Sequence, residues 1–481
     1  MFRPSSFFRR FSLASRTVSA SVARRAGSLI IVGGLAAGAC KSDPEAAPAA
    51  PAASASAAKV TAQPAIASAA VAAPSVPLVE EAHAPRNVLL LTIDSLRADM
   101  PWAGYPRAIA PNLTKLAEQS VVYNNAYALS SYTAKSVAGF LTSRYPSTLY
   151  RTGYFFATYP KSDLFLAEVL KRHGVPTTAW HGHAYFRSAG FEQGFDTWQL
   201  VPGIEFNAET DESITSQAMT ELGMKLLKKP ENTGKQFFAW AHYMDPHDQY
   251  NKHPEASPEF GNKNRDRYDN EVFYTDLWLG KLLTWAREQQ WWKDTVLIIS
   301  ADHGEAFGEH GAYKHAFEIW EVLTHVPLMI SGPGIKPRRI DERRSHLDLA
   351  PTILDVMGFP PEPEFMGKSM LPELRGAAPD NREPILSELT EDSHNPLRRA
   401  FILGDYKLLV LDGRKYQLYN LSKDPSESTD LADSESAKLA EMKRAYNKMY
   451  ETLPMVEPFG GATLKGGASA RGPSGPPSAN K

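Results

Sequence analysis

The sequence predicts an α/β fold: a mixed, largely parallel sheet flanked by helices, followed by a small C-terminal antiparallel sheet. Two observations predict the larger part. Val88-Leu89-Leu90-Leu91 and Val296-Leu297-Ile298-Ile299 are unbroken apolar runs, the pattern of strands buried on both faces. Between them, Val272, Phe273, Leu277, Leu279, Leu282, Leu283 and Ala286 recur at broadly helical spacing within residues 270–289. A third observation predicts the smaller sheet. Residues 400–403, 406–410 and 416–421 are short apolar-rich stretches separated by Gly404-Asp405 and Asp412-Gly413, which are hairpin turn signals.

The 481 residues allow one large or two modest domains, and 43% apolar content suits a chain with a real core. A net charge of −2 gives no electrostatic case for nucleic acid. Cys40 is the single cysteine, so neither an internal disulfide nor a cysteine zinc site can form. Arg3, Arg9, Arg10, Arg16, Arg24 and Arg25 precede the apolar run 29–39, which ends in small residues before Cys40. That arrangement resembles a bacterial lipoprotein signal, although Ala37 stands where leucine is usual. The resemblance implies residues 1–39 as signal, Cys40 as the lipidated residue, and an exported protein anchored to a membrane. Residues 40–85 read as the lipidated cysteine and its linker; the stretch from Lys41 to about Val79, rich in Ala, Pro, Ser and Val, reads as a tether, whose reach at ~3.1 Å per residue is on the order of 120 Å at most. Residues 86–380 read as the main folded domain, 381–458 as the C-terminal subdomain and 459–481 as a disordered tail.

Both apolar strands end abruptly in acid. Asp94 follows the first; Asp302-His303-Gly304 follows the second. Ligands bind at the C-terminal ends of strands in open α/β sheets. If the two strands are neighbours, two carboxylates and an imidazole converge there, a donor set that suits zinc or manganese, with calcium or magnesium as alternatives. Gly304 would let the backbone turn away from the ion. Between the strands, residues 111–117 read as a helix opened by Pro111, and hydroxyls cluster at 130–136 where another helix should begin. A helix start attracts an anion, though serine or threonine there can equally be an ordinary cap.

Asp94, Pro111-Asn112-Leu113, the hydroxyl cluster, Leu141-Thr142-Ser143-Arg144, the segment 237–247, Asp302-His303-Gly304, the segment 326–334 and Asp348-Leu349-Ala350-Pro351-Thr352 occur in the order of the sulfatase branch of the alkaline phosphatase superfamily. The sequence resembles that family over residues 86–432, which implies its fold, a divalent cation and an anionic ester substrate. Two departures stand out. The family's formylglycine position, counted back from Arg144, falls on Thr133, which cannot undergo that oxidation; Thr133-Ala134-Lys135-Ser136-Val137 is closer to the threonine motif of phosphoethanolamine transferases. The family's second aspartate is here Ser95.

The resemblance implies Thr133 as nucleophile, with Asp94, Asp302, His303 and the Thr133 oxygen around the metal. Ester oxygens would be met by Lys135, His247 and His315. Asp245 with His247 is an alternative second metal site, and His242 is either a core residue or part of the site. Glu305, Glu309 and His310 shape the loop, while His181, His183, His325 and His346 are structural. The expected activity is cleavage of phosphate mono- or diesters through a phosphothreonine intermediate, released by water or by another acceptor, the latter making the enzyme a transferase. The alternatives are a sulfate ester hydrolase without formylglycine and a non-catalytic surface lipoprotein.

Overall fold

The computed structural model describes residues 86–187, 189–204, 215–253 and 258–467. The signal segment, Cys40, the tether and the end of the tail lie outside the described residues. Within residues 78–481, which form one compact unit, the strands are β1 (Asn87–Ile93), β2 (Val121–Tyr127), β3 (Thr177–His181), β4 (Thr197–Leu200), β5 (Phe238–Tyr243), β6 (Thr295–Ala301), the short pair β7 (Ala306–Phe307) and β8 (Tyr313–Lys314), β9 (His325–Ser331), β10 (Arg338–Ile340), β11 (Arg344–Ser345), β12 (Ile385–Leu389), β13 (Arg398–Leu403), β14 (Tyr406–Leu411) and β15 (Lys415–Asn420). The helices are α1 (Pro111–Ala117), α2 (Thr133–Thr142), α3 (Leu166–Arg172), α4 (Ser216–Leu227), α5 (Pro230–Thr233), α6 (Asn264–Arg287), α7 (Glu321–Thr324), α8 (Leu349–Val356), α9 (Leu371–Leu374) and α10 (Ser436–Tyr450).

The large sheet has the order β10-β2-β9-β6-β1-β5-β3-β4, with β11 also on β2. Strands β6, β1, β5, β3 and β4 are parallel, and β9 runs antiparallel to both β6 and β2. Alternation along β1 explains its unbroken apolar run. Val88 and Leu90 join a core with residues of α2, α3 and α8, whereas Leu89, Leu91 and Ile93 join one with residues of α1, α4 and α6. A strand covered by helices on both faces has no polar side to show. The amphipathic segment at 270–289 is the C-terminal part of α6, and β12-β13-β14-β15 form the expected antiparallel sheet.

The tail expected to be disordered from residue 459 is corrected through Gly467. Phe459 exchanges backbone hydrogen bonds with Arg151 and Gly153, and Lys465 N–H donates to the Asp392 carbonyl at 2.8 Å. Ala462 and Leu464 are buried, which gives this Gly-rich stretch an apolar footing its composition conceals. Among the described residues, no helix is long and apolar enough to cross a membrane.

Candidate metal centre and active site

Sheet register builds the site. β1 and β6 pair in parallel with Ile93 opposite Ala301, so Asp94 and Asp302 leave adjacent strands at the same edge. On the other side of β1, Thr92 lies opposite His242 of β5. His242 sits between them: Nδ1 is 2.8 Å from Thr92 Oγ1 and Nε2 is 3.2 Å from Asp94 Oδ2. Helix α2 is tied in from above by Ser136, whose hydroxyl donates to the Asp302 carbonyl at 2.6 Å. One turn before Ser136, Thr133 Oγ1 lies 3.0 Å from His303 Nε2.

Asp94, Asp302 and His303 are fully buried, and one ligand atom from each lies within 4.8 Å of the others. His303 Nδ1 is 3.0 Å from the Gly304 carbonyl, to which only an N–H can donate, so Nε2 carries the lone pair. That lone pair faces Asp302 Oδ2 at 3.3 Å and Asp94 Oδ1 at 3.7 Å. Asp302 Oδ2 is buried with no hydrogen-bond partner. Three electron-rich atoms facing one another repel unless a cation lies among them, and oxygen with imidazole nitrogen fits a divalent ion. A metal-free Thr-His-Asp relay fits less well, because the carboxylates face Nε2 and not the far nitrogen.

The charges agree. Burial would raise the Asp94 carboxyl, but His247, His242 and His303 hold it well below the usual range. Burial and the charge of Asp94 push Asp302 well above it. Two buried carboxylates this close cannot both ionise without a compensating cation. Burial, followed by neighbouring His315, lowers His303 to about 3, which keeps the ring neutral and able to ligate.

His315 rests with its ring centroid 4.2 Å from that of His303, and its Nδ1 is 3.2 Å from Glu305 Oε1. His247 is half-buried at the edge of this group, its ring 4.8 Å from His315 and 6.2 Å from His183. His183, expected to be structural, thus stands beside a site residue. His325 and His346 do serve the scaffold: His325 Nε2 is 2.8 Å from the Asn124 carbonyl, and His346 Nε2 is 2.8 Å from Ser300 Oγ.

Several expectations change. Lys135 presents no free ammonium: it is buried, donates to the Thr390 carbonyl at 2.9 Å, and is paired with the Asp392 carboxylate. A buried ammonium needs a counter-ion, and this one comes from the segment after β12. Asp245 is not part of a second metal site. It accepts Thr215 Oγ1–H at 2.6 Å and Ser216 N–H at 2.7 Å, at the start of α4. Gly304 is glycine because a Cβ there would lie 2.1 Å from the Val322 carbonyl, not because it relieves crowding at an ion. Glu305 does more than shape the loop: it is fully buried against His315, and burial pushes its carboxyl up to about 8. Glu309 does brace the loop, accepting from Arg97 Nη1 at 2.8 Å.

An α/β scaffold with two carboxylates, an imidazole and a hydroxyl converging at one strand edge defines a candidate cation-assisted ester hydrolase. The pattern described as Sulfatase matches residues 86–359, more than half of the chain, and that described as N-sulphoglucosamine sulphohydrolase, C-terminal, matches residues 308–453. The chain belongs to the sulfatase family and is an ester hydrolase of that family, which sets aside the non-catalytic alternative. It is similar to choline-sulfatase of Rhizobium meliloti, at 25% identity over 430 residues covering 72% of this chain and 82% of the relative. It is also similar to an ulvan-active sulfatase of Formosa agariphila, at 24% identity over 352 residues covering 64% and 68%. Among solved structures, the phosphonate monoester hydrolase of Agrobacterium radiobacter shares the fold with a TM-score of 0.61 at 19% identity, covering 76% of this chain and 95% of that one.

Proposed function

We propose that this protein hydrolyses singly charged phosphorus esters, diesters or phosphonate monoesters, with Thr133 as nucleophile. The observation that carries the reading is the 3.0 Å contact between Thr133 Oγ1 and His303 Nε2, which puts the hydroxyl against the donor set of Asp94, Asp302 and His303. A divalent ion held by those three residues, zinc or manganese by donor type, supplies the Lewis acidity that lets an alcohol ionise near neutral pH. Thr133 Oγ1 forms a bond to phosphorus as the ester bond breaks, and the departing oxygen takes a proton and leaves as alcohol. Water then attacks phosphorus, the bond to Oγ1 breaks, and the threonine is restored. His247 and His315 are the groups proposed to meet the ester oxygens.

Charge supports the narrower choice of substrate. Three basic residues flanking the site motifs, Lys135, Lys314 and Arg97, are each paired with a carboxylate: Asp392, Asp248 and Glu309 respectively. Two ligand carboxylates balance one divalent ion, leaving little surplus positive charge for a doubly charged phosphate monoester. The expected result is hydrolysis of an aryl phosphodiester or phosphonate in preference to the aryl phosphate monoester. Thr133→Ala should lower kcat by about 10³-fold or more; a wild-type rate in that variant would falsify the nucleophile.

A second reading, sulfate ester hydrolysis without formylglycine, is favoured by the sulfatase names of the relatives. Rates on matched aryl sulfate and aryl phosphodiester, measured on one preparation, separate the two. We also propose export and lipid attachment at Cys40, which labelling with a radioactive fatty acid would test: wild type should carry label and Cys40→Ser should not.

A further inference from the structure

We infer that the ester taken at this site carries an uncharged flat ring, an aryl group, which stacks against Phe317 at the mouth. The inference rests on the site reading above and names the organic part of its substrate. Among the described residues, the exposed large hydrophobic side chains are Tyr154, Tyr313, Phe317 and Met455. Single exposed apolar residues are ordinary, but a group of them marks a binding surface. Tyr313 and Phe317 flank His315, and Tyr154 adjoins Phe155, on which Phe317 stacks with planes 11° apart and centroids 6.1 Å apart. Phe155 in turn stacks on Tyr132, with centroids 4.5 Å apart and planes 19° apart. Three near-parallel rings thus form a row. Its buried end is the residue before Thr133, and its outer end, Phe317, is 52% exposed.

Backbone contacts fix Phe317 beside the site. Ala316 N–H donates to the Ser131 carbonyl at 2.8 Å, and the Ser131 hydroxyl donates to the Glu318 carbonyl, so residues 316–318 lie against the segment that leads into α2. On its other side, the His315 ring centroid is 4.2 Å from that of His303, whose Nε2 meets Thr133 Oγ1. The backbone here is strained. Side chains two apart on an extended strand point the same way, yet His315 is 8% exposed while Tyr313 is 63% exposed. Lys314 and Ala316, with φ of 65° and 71°, are both left-handed, which is uncommon for residues with a side chain. These two kinks turn His315 inward and its aromatic neighbours outward. Strain of this kind collects where a ligand is held.

Charge and shape select the occupant. The charged neighbours of Phe317 are already paired, Lys314 with Asp248 at 2.6 Å and Glu318 with Arg398 at 3.2 Å. A charged substituent would have to compete with those pairs; an uncharged one would not. The near-parallel planes suit one more flat ring in offset stacking. A quaternary cation would instead call for aromatic faces converging around a common centre.

The test sets two singly charged anions, benzenesulfonate and methanesulfonate, against an aryl phosphodiester on the full, metal-loaded chain. We expect benzenesulfonate to inhibit with a Ki lower by about tenfold or more. Phe317→Ala should cut that preference to about twofold or less, and Phe317→Tyr, which keeps a ring, should retain it. The Ki of methanesulfonate and the melting temperature should not move in either variant, because the side chain that changes is exposed. Equal Ki for the two anions in wild type, or an unchanged preference in Phe317→Ala, would overturn the assignment. So would tighter binding of trimethylammonioethanesulfonate than of benzenesulfonate, which would make the mouth a cation site. If wild type cleaves no ester, the proposed function fails, while calorimetric titration with the same sulfonates still decides the role of Phe317. A ring preference lost in Phe317→Ala supports it; equal binding of both anions, or binding of neither, overturns it.

Discussion

Replacing Lys135 with methionine separates a structural ammonium from a catalytic one. Lys135 and Asp392 are 1% and 2% exposed, so the substitution strands a carboxylate in the interior. Removing one partner of a buried pair costs about 3–5 kcal/mol. Asp392 keeps the backbone N–H groups of His394 and Asn395, each at 2.8 Å, and Asn395 Nδ2 at 3.1 Å, which places the loss at the lower end, ~3 kcal/mol. With an unfolding entropy of ~2 cal/mol/K per residue, a domain of this size should melt about 4 °C lower. Lys135→Met combined with Asp392→Leu removes both charges and should recover most of that loss, because an apolar replacement of a buried pair is often nearly neutral. Thermal melting and urea unfolding measure these values, and kcat/KM on an aryl ester, taken well below the transition, should stay within about tenfold of wild type. Unchanged melting with a hundredfold loss of kcat/KM would refute the reasoning and return Lys135 to the ester.

Three further outcomes follow from the site and the core. Chelation should abolish ester hydrolysis and added zinc or manganese should restore it; activity indifferent to chelator counts against the site at Asp94, Asp302 and His303. His242→Ala removes the partner of Asp94 and should weaken metal binding about 10- to 100-fold, read by titration calorimetry. Asp163 is buried, and burial pushes its carboxyl up to about 7 against the opposing pull of the Tyr150 backbone, Arg144 and Arg151. The folded chain thus holds a proton that the unfolded chain has released: stability is highest below the ordinary carboxyl range and falls as pH rises to about 7. Asp163→Asn should therefore gain stability over wild type as pH climbs from 4 to 7, by ~4 kcal/mol at most; a gain independent of pH would show that the carboxyl does not titrate there.

The strands that carry the ligands were legible because burial on both faces leaves an unbroken apolar run, and because an acid at the end of such a run stands out. The role of His242 was not legible. Alternation places its ring, but only the register of β5 on β1 brings Asp94 to it. The antiparallel course of β9 is likewise a matter of which strands meet, which local periodicity does not record. Lys135 could have been read better. Residues two apart on a helix point ~200° apart, so Lys135 faces away from whatever Thr133 faces. Ser136, three along, shares the Thr133 side and reaches the Asp302 carbonyl. Helical angle outranks closeness in sequence here, and the basic residue next to a nucleophile belongs to a different neighbourhood.

Ser95 and Lys135 then make sense together. Where the family has a second aspartate, Ser95 adopts a left-handed backbone with φ of 58°, which is uncommon for a residue with a side chain. Its hydroxyl donates to Asp94 Oδ1 at 2.9 Å and its N–H to Asp302 Oδ1 at 3.3 Å, so it orients two ligand carboxylates instead of adding a third. A third carboxylate would leave the centre with excess negative charge around one divalent ion and would call for nearby cations to hold an anionic ester. With serine there, two acids and a neutral imidazole match the ion, and the ammonium of Lys135 can be spent on Asp392. Ser95 removes a negative charge from the site and the Asp392 pairing neutralises a positive one, which together keep the balance that the proposed singly charged ester would require.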